Sequence, residues 1–281
     1  MTNQLPKPTI DARHFGAHRL CVLTDDALFA ACGVRIGFTS RAGGVSTGPY
    51  AALNLYQRVN DDAACVDENR RRLLCALGAD DAYLMVPNQV HGTQVVSVDS
   101  GEESNLRRFQ AVADEGADAL AIGVPRVAAL LNFADCAPVI VVSPTGRFVV
   151  AHAGWRGAVA GIAGKAARSL AALDAAAGDD ADCSRFNAYI GPHIRSECFE
   201  VGPEVVAQFV EAFGAQAAPD ANHVSLAAAV TTDLTRAGLV ADRIADAQVC
   251  TKCSSEDYFS YRASGGVCGR HGAIAFREGN A

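Results

Sequence analysis

The chain has 281 residues, of which half are hydrophobic and 20% are charged, a composition typical of a globular protein with a sizeable core. Its formal net charge is −7, and it has no basic run interleaved with aromatic residues, which argues against a nucleic-acid partner. The polar N-terminus lacks a signal-peptide pattern, and the longest apolar stretch, 127–142, is interrupted by Asp135 and Pro138, so a cytoplasmic protein without a membrane partner is expected.

The pattern of apolar residues predicts six strands and four helices. The predicted strands are, in chain order, 34–39, 95–98, 127–133, 139–142, 148–151 and 273–276. The predicted helices run from a cap at Asp61 or Asp62 to residue 77, and over 158–173, 203–213 and 226–237. Because strands and helices do not alternate as regular βαβ repeats, a mixed sheet is favoured over a parallel one.

The organisation of the chain favours one domain. The sequence contains no repeat of 20–50 residues and no low-complexity linker. A single α/β domain over residues 1–281 is therefore predicted, with residues 1–18 as an irregular N-terminal arm. The ten cysteines are scattered through a long chain without a secretion signal, so they are interpreted as reduced thiols.

Three short segments each place one metal-ligand residue beside turn or strand-end residues. They are Q-V-H-G with His91, A-D-C-A-P with Cys136, and H-A-G-W-R-G with His152. Two imidazoles and one thiolate are a set that zinc accepts, and three protein ligands leave a fourth position open, as in catalytic zinc sites. The separations of 45 and 16 residues match no local zinc motif, so spacing alone leaves open a buried thiol and two ordinary histidines.

Nine segments together carry a resemblance to one family. They are F-T-S-R-A-G-G-V-S at 38–46, L-N-L at 53–55, Q-V-H-G at 89–92, A-D-C-A-P at 134–138, H-A-G-W-R-G at 152–157, I-G-P at 190–192, F-E-V-G at 199–202, F-S-Y-R at 259–262 and G-R at 269–270. Over about residues 34–276 the chain resembles the laccase-domain (multicopper polyphenol oxidase-like) family of purine nucleoside phosphorylases, also described as peptidoglycan editing factors.

The resemblance implies a single-domain mixed β-sandwich core flanked by helices, the laccase-domain fold that is similar to cysteine hydrolases. It implies one catalytic zinc held by His91, Cys136 and His152. The implied activities are phosphorolysis of adenosine, inosine, guanosine and methylthioadenosine, and hydrolytic deamination of adenosine. The small-molecule partners would then be a purine nucleoside and phosphate; no pattern in the sequence specifies an oligomeric state.

Further site residues follow from the chemistry of these reactions. Phosphate binding favours arginine, and Arg41 and Arg156 lie in glycine-rich turns of the matching motifs; surface salt bridging is the alternative for both. Asn54 and Gln89 are candidates to bond ribose or base, with structural capping as the alternative. Deamination needs a proton shuttle, and Glu200 or Asp135 is the candidate because no H-x-E signature is present.

Two other functions remain open. Cys136 is also a candidate nucleophile, with His152 as base and Asp135 as the group that orients it, in a hydrolase that edits peptidoglycan precursors. A laccase-like copper polyphenol oxidase would hold copper instead of zinc, but seven histidines without an H-x-H motif do not support multicopper chemistry. Metal content discriminates ligand from nucleophile, because a metal-bound thiolate is poorly available for attack.

A second, structural zinc site is also suggested near the C-terminus. Cys250, Cys253, Cys268 and His271 spell C-x2-C-x14-C-x2-H, a spacing that fits a closed zinc site. Ordinary thiols at positions that need no metal are the alternative.

Overall fold

The computed structural model describes residues 4–279, which contain two six-stranded sheets and seven α-helices. The strands are β1 Asp11–Phe15, β2 Leu20–Thr24, β3 Val34–Thr39, β4 Tyr83–Met85, β5 Val95–Val98, β6 Ala119–Ile122, β7 Val127–Phe133, β8 Ala137–Val142, β9 Phe148–Ala153, β10 Asn187–Ile190, β11 Ile244–Asp246 and β12 His271–Arg277. The helices are α1 Asp26–Cys32, α2 Ala63–Leu77, α3 Glu103–Gly116, α4 Trp155–Val159, α5 Ile162–Ala176, α6 Pro203–Phe213 and α7 Leu226–Arg236. None of these helices has the length and apolar character needed to traverse a bilayer.

Both sheets are mixed, as predicted. The first has the order β1-β2-β3-β12-β7-β4, and its strands are antiparallel except for the parallel pair β4 and β7. The second has the order β11-β10-β8-β9-β6-β5, with parallel pairs at both ends, β11 with β10 and β6 with β5. Connections through helices supply the parallel edges, and direct turns such as the one between β8 and β9 supply the antiparallel centre.

The two sheets pack face to face, and helices cover their outer faces. Successive side chains of a strand point to opposite sides of its sheet, so on β6 Leu120 and Ile122 enter the core between the sheets, whereas Ala119 and Ala121 pack in the cluster that contains α5 and α7. Helix α2 covers the first sheet in a third cluster. The predicted mixed β-sandwich core flanked by helices is confirmed; a single domain over residues 1–281 stays a prediction.

The structure corrects three local predictions. The helix predicted over 158–173 is interrupted at Gly161, whose φ of 78° is left-handed. The sequence does not reveal this break, because the helical spacing of apolar residues continues on both sides of it. Residues 11–15, predicted within an irregular arm, form β1 against β2; β1 is mostly exposed, so it carries no apolar pattern. Residues 1–3 of that arm lie outside the described residues. His152, predicted at a strand end, lies within β9.

His271 begins β12 and is fully buried against the first sheet. Burial lowers the pKa of its imidazole to about 3, and the positive charge of Arg270 contributes in the same direction. The ring lies edge-on to Tyr258, with 5.5 Å between the ring centroids. This histidine is therefore neutral in the folded protein across the acidic range in which the unfolded chain protonates it.

The His271→Gln variant is expected to weaken the loss of stability in acid. Between pH 6 and pH 4 the unfolded state binds a proton at residue 271 and the folded state does not. The contribution of His271 to the free energy of unfolding is therefore fully present above pH 6.5 and falls by about 1.4 kcal/mol for each pH unit below it. The variant lacks this contribution. Urea unfolding across a pH series measures it, with exposed His14→Gln as the control; an unchanged slope in His271→Gln would contradict the assignment.

Candidate active site

One buried carboxylate joins the segments that carry the two predicted histidine ligands. Asp118, directly before β6, accepts hydrogen bonds from the backbone N–H groups of Val90 at 3.2 Å, His91 at 3.0 Å and Gly92 at 2.7 Å. It also bonds Nδ1 of His152 at 2.7 Å. The turn at His91 has a positive φ of 60°, and the three hydrogen bonds hold it there.

The sheet register brings Cys136 to the same place. His152 on β9 lies opposite Pro138 on β8, and Cys136 occupies the bend between β7 and β8, as the sequence predicts. The backbone N–H of His152 donates to the carbonyl of Asp118 at 2.7 Å. Because Nδ1 of His152 is committed to Asp118, its Nε2 is left for a ligand.

His91, Cys136 and His152 form one cluster of potential metal ligands, with one ligand atom from each lying within 4.8 Å of the others. The Cys136 sulfur lies 3.8 Å from Nε2 of His91. His152 is buried, Cys136 half-buried and His91 exposed, so the cluster is open on one side. Two imidazole nitrogens and one sulfur, with a carboxylate behind one imidazole, fit a metal ion that keeps an open coordination position.

The electrostatics of the cluster favour a thiolate beside an imidazolium. Burial raises the pKa of the Cys136 thiol, but the charges and hydrogen bonds of His152 and His91 outweigh it and lower the pKa to about 6. Burial likewise lowers the pKa of His152, while Cys136 and Asp118 raise it to about 9. A thiolate is the form in which cysteine binds metals or attacks a substrate.

Asp135 anchors the bend that carries Cys136. Its φ is 90°, and its carboxylate accepts from the Thr251 hydroxyl at 2.6 Å and from the backbone N–H of Arg262 at 2.7 Å. The residue that orients His152 is Asp118 rather than Asp135. The sequence-based assignment of Asp135 to that role is wrong, since its oxygens are turned toward the segments at 251 and 262.

A pocket of about 450 Å³ opens over the cluster. Three arginines line it, Arg156, Arg262 and Arg270, together with the aromatic residues Tyr56, Trp155, Phe199 and Tyr261. In the described part of the chain these guanidinium groups contact backbone carbonyls and rings rather than carboxylates. Arg262 donates to the Glu200 carbonyl at 2.9 Å, Arg270 donates to the Cys268 carbonyl at 2.8 Å, and Arg156 lies 4.3 Å from the Trp155 ring centroid.

The model of the family described as multi-copper polyphenol oxidoreductase laccase matches residues 35–278. The chain belongs to this family. A purine nucleoside phosphorylase of Deinococcus radiodurans is 39% identical over 244 residues, which cover 84% of this chain and 87% of that protein. Adenosine deaminase RL5, from an unknown prokaryotic organism, is 34% identical over 246 residues, 85% of this chain and 92% of that protein.

Solved crystal structures of similar chains share the fold. The crystal structure of YlmD from Geobacillus stearothermophilus superposes with a TM-score of 0.79 at 28% identity, covering 95% of this chain and 100% of that one. That of the hypothetical protein YfiH from Bacillus licheniformis gives 0.79 at 25% identity, with coverages of 92% and 96%. The prediction that this chain is an enzyme is confirmed by the named relatives.

The structure brings six of the predicted site residues to one pocket. They are His91, Asp135, Cys136, His152, Arg156 and Gln89. The amide of Gln89 pairs with the backbone of Asn132 on β7, donating at 2.9 Å and accepting at 2.8 Å. Gln89 therefore fastens the turn of His91 to the first sheet while its side chain faces the pocket.

Arg41, Asn54 and Glu200 lie outside the pocket lining. Arg41 donates to the carbonyls of Ala51 at 2.7 Å and Ser255 at 2.9 Å, and so stabilises its own loop. Arg41 therefore does not line this pocket, and its role in binding phosphate stays a prediction. Asn54 is buried, and its side-chain oxygen accepts from the backbone N–H of Arg270 at 2.9 Å, which positions a pocket arginine. Glu200 is exposed to solvent.

Three residues of the candidate site have no role in the sequence-based prediction. Asp118 is a lone carboxylate in the apolar run A-D-A-L-A-I at 117–122, and a charge directly before a buried strand is a signal for a buried hydrogen-bond network. Arg262 and Arg270 lie in the F-S-Y-R and G-R segments that carry the family resemblance. Their motifs were informative, but only the fold shows that both reach the pocket.

The predicted second zinc site is wrong as a set of four. Cys250 and Cys253 cluster with Cys198 instead of with Cys268 and His271. The Cys268 sulfur contacts the Arg270 guanidinium at 3.3 Å, and His271 is buried in β12. The spacing rule selected Cys268 and His271 because they lie close to Cys253 in the sequence, whereas Cys198 lies 52 positions upstream of Cys250.

The Gly154→Ala variant is expected to weaken metal binding by on the order of tenfold or more. A Cβ at this position would lie 2.7 Å from Cδ2 of His91 and 3.1 Å from the Cys136 sulfur, so one of the two ligands must move. Zinc affinity is measured against a chromophoric chelator in a Cys198→Ser, Cys253→Ser background, which removes the other sulfur cluster from the titration.

Gly101→Ala is the matched control, because a Cβ there meets no atom within 4 Å. It should leave zinc affinity unchanged. Equal zinc affinities for the two glycine variants, with both folded by circular dichroism, would show that a Cβ at residue 154 does not displace His91 or Cys136.

Proposed function

We propose that this protein is a zinc-dependent purine nucleoside phosphorylase that acts on adenosine, inosine, guanosine and methylthioadenosine, and that it also deaminates adenosine. The observation that carries the proposal is one pocket in which three arginines and four aromatic rings surround His91, Cys136 and His152. Relatives named purine nucleoside phosphorylase and adenosine deaminase support it.

The arginines supply a phosphate site in an otherwise acidic protein. Guanidinium groups bind phosphate through paired hydrogen bonds. Arg156 is the most available of the three, because its contact in the described residues is the Trp155 ring, 4.3 Å away. Arg262 donates through one nitrogen to the Glu200 carbonyl, and Arg270 donates through one nitrogen to the carbonyls of Cys268 and Gly269. These bonds fix the two side chains and leave other N–H donors for the anion.

The aromatic side chains supply a surface for the purine base. Trp155, Phe199, Tyr56 and Tyr261 share the pocket with the arginines. A planar purine stacks on such rings regardless of its substituents, which is consistent with a substrate range that includes both 6-amino and 6-oxo purines. A pocket of about 450 Å³ is within the range that holds a small organic ligand.

In phosphorolysis a phosphate oxygen forms a bond to C1′ of the ribose while the bond from C1′ to N9 breaks. The electron pair of that bond leaves with the purine, which takes up a proton. The arginines bind and orient the phosphate, and the aromatic rings hold the base, so that the two reactants meet in one geometry. Zinc bound by His91, Cys136 and His152 would supply a Lewis acid with an open position in the pocket wall.

Deamination of adenosine needs water to add at C6 and ammonia to leave. A carboxyl group that moves the proton is part of known zinc deaminases. Of the two carboxylates predicted for this task, Asp135 lines the pocket and Glu200 does not. Asp135 is therefore the residue proposed to carry the proton, because each of its oxygens accepts one hydrogen bond and retains a second lone pair.

Incubation with adenosine, with and without phosphate, separates the two reactions. Phosphorolysis yields adenine and ribose-1-phosphate only when phosphate is present, whereas deamination yields inosine in both conditions. Chromatography resolves the products, and elemental analysis of the same sample reports the metal. Arg156→Gln is expected to raise KM for phosphate by about tenfold to a hundredfold, the loss of one charged hydrogen bond, with exposed Arg107→Gln as the control.

The absence of both products from protein that carries zinc would remove this proposal. An Arg156→Gln variant with an unchanged KM for phosphate would remove Arg156 from the phosphate site without affecting the assignment of the reaction.

A cysteine hydrolase that edits peptidoglycan precursors is the second candidate, and one observation favours it. Cys136, His152 and Asp118 have the order of a nucleophile, a base and an orienting carboxylate. Purified protein without metal, together with a covalent adduct on Cys136, would favour this reading. The copper oxidase alternative has weaker support, because in residues 4–279 neither potential ligand cluster contains more than two histidines.

A further inference from the structure

The sulfur atoms of Cys198, Cys250 and Cys253 form a second cluster of potential ligands, made of residues that the proposed reaction does not use. Each sulfur lies within 4.8 Å of the other two, and those of Cys198 and Cys253 are 3.4 Å apart. The chain brings them together across 52 residues through the pairing of β10 with β11 and the bridge between His193 and Cys250.

We propose that this sulfur cluster is a second metal site, which binds one thiophilic d10 cation, Zn²⁺ or Cu⁺, through three cysteine thiolates. Soft thiolate ligands select these ions over harder divalent cations. The site is independent of the function proposed above, because none of its ligands belongs to the first cluster.

The spacing of the sulfur atoms fits one shared ion. Two sulfurs bound to a tetrahedral zinc at about 2.3 Å are about 3.8 Å apart, and the three sulfurs here are separated by distances from 3.4 Å to at most 4.8 Å. In the described residues no fourth side chain joins the cluster. Water would complete the four-coordinate shell of zinc, whereas Cu⁺ would be bound by the three sulfurs alone.

The three cysteines differ in their exposure to solvent. A metal ion binds cysteine as the thiolate. Cys250 is buried while Cys253 is exposed, so an ion can enter from solvent beside an anchored ligand.

The cluster is connected to two segments that line the pocket. Cys198 precedes Phe199, which lines the pocket. Thr251, next to Cys250, donates its hydroxyl to Asp135 at 2.6 Å, and Asp135 precedes Cys136 in the chain. A metal ion that joins Cys198 to Cys250 and Cys253 would therefore fasten two segments of the wall to each other and hold the bend of Cys136 from behind.

The test uses the full chain carrying Cys136→Ser, which removes the sulfur of the first cluster. Anaerobic, reduced protein is titrated with Zn²⁺ and, separately, with Cu⁺, each against a competing chromophoric ligand. One equivalent of either ion is expected to bind, and adding Cys253→Ser should lower its affinity at least tenfold. Adding Cys75→Ser, at an exposed cysteine away from the cluster, should leave it unchanged.

If the Cys253→Ser variant does not fold, X-ray absorption of the metal-loaded Cys136→Ser protein tests the proposal by identifying the atoms bound to the metal. Three sulfur neighbours around the ion are expected, because the altered first cluster offers none. A first shell without sulfur, or equal metal affinity with and without Cys253, would overturn the proposal. So would a Cys198–Cys253 disulfide, with sulfurs about 2.05 Å apart, that persists under these reducing conditions.

Discussion

The site depends on the burial of one negative charge. Asp118 is fully buried, and an isolated carboxylate in that position would be strongly unfavourable. Three backbone N–H groups of the turn at 90–92 and the imidazole of His152 satisfy it. A carboxylate surrounded in this way leaves the turn and the histidine little freedom, so both potential nitrogen ligands are positioned before any metal binds.

Buried polar side chains position the segments of the pocket in the same way. Asp135 is held by Thr251 and Arg262, and Asn54 holds the backbone of Arg270. Buried carboxylate and amide groups thus position the chain, and the guanidinium groups that line the pocket remain without carboxylate partners in the described residues. The result is a positive cavity in a chain of net charge −7, in which a phosphate group would meet short-range attraction while more distant acidic residues are screened by salt.

Local patterns predicted the parts of the fold that local physics controls. The strands 34–39, 95–98 and 127–133 and the helix 203–213 agree residue for residue with the structure, because branched apolar runs and a proline at the first helical position are strong signals. Exposed β1 was missed because only its pairing with β2 defines it. The interruption at Gly161 was missed because the apolar stripe continues on both sides.

The site shows the same division between local and distant interactions. The resemblance implied His91, Cys136 and His152, and the structure places all three together through the register of β8 and β9. Arg41 and Arg262 both lie in matching motifs, yet only the packing of loops distant in sequence decides that Arg262 reaches the pocket. Cys198 joins Cys250 for the same reason, and no spacing rule within the sequence connects them.

Diffraction from crystals of the purified protein, recorded above and below the zinc absorption edge, locates the metal by its anomalous signal. A zinc peak is predicted within bonding distance of Nε2 of His152, the sulfur of Cys136 and His91, with Nδ1 of His152 still bonded to Asp118. A map with no metal at these three residues, and with an adduct or a free thiol at Cys136, would contradict it.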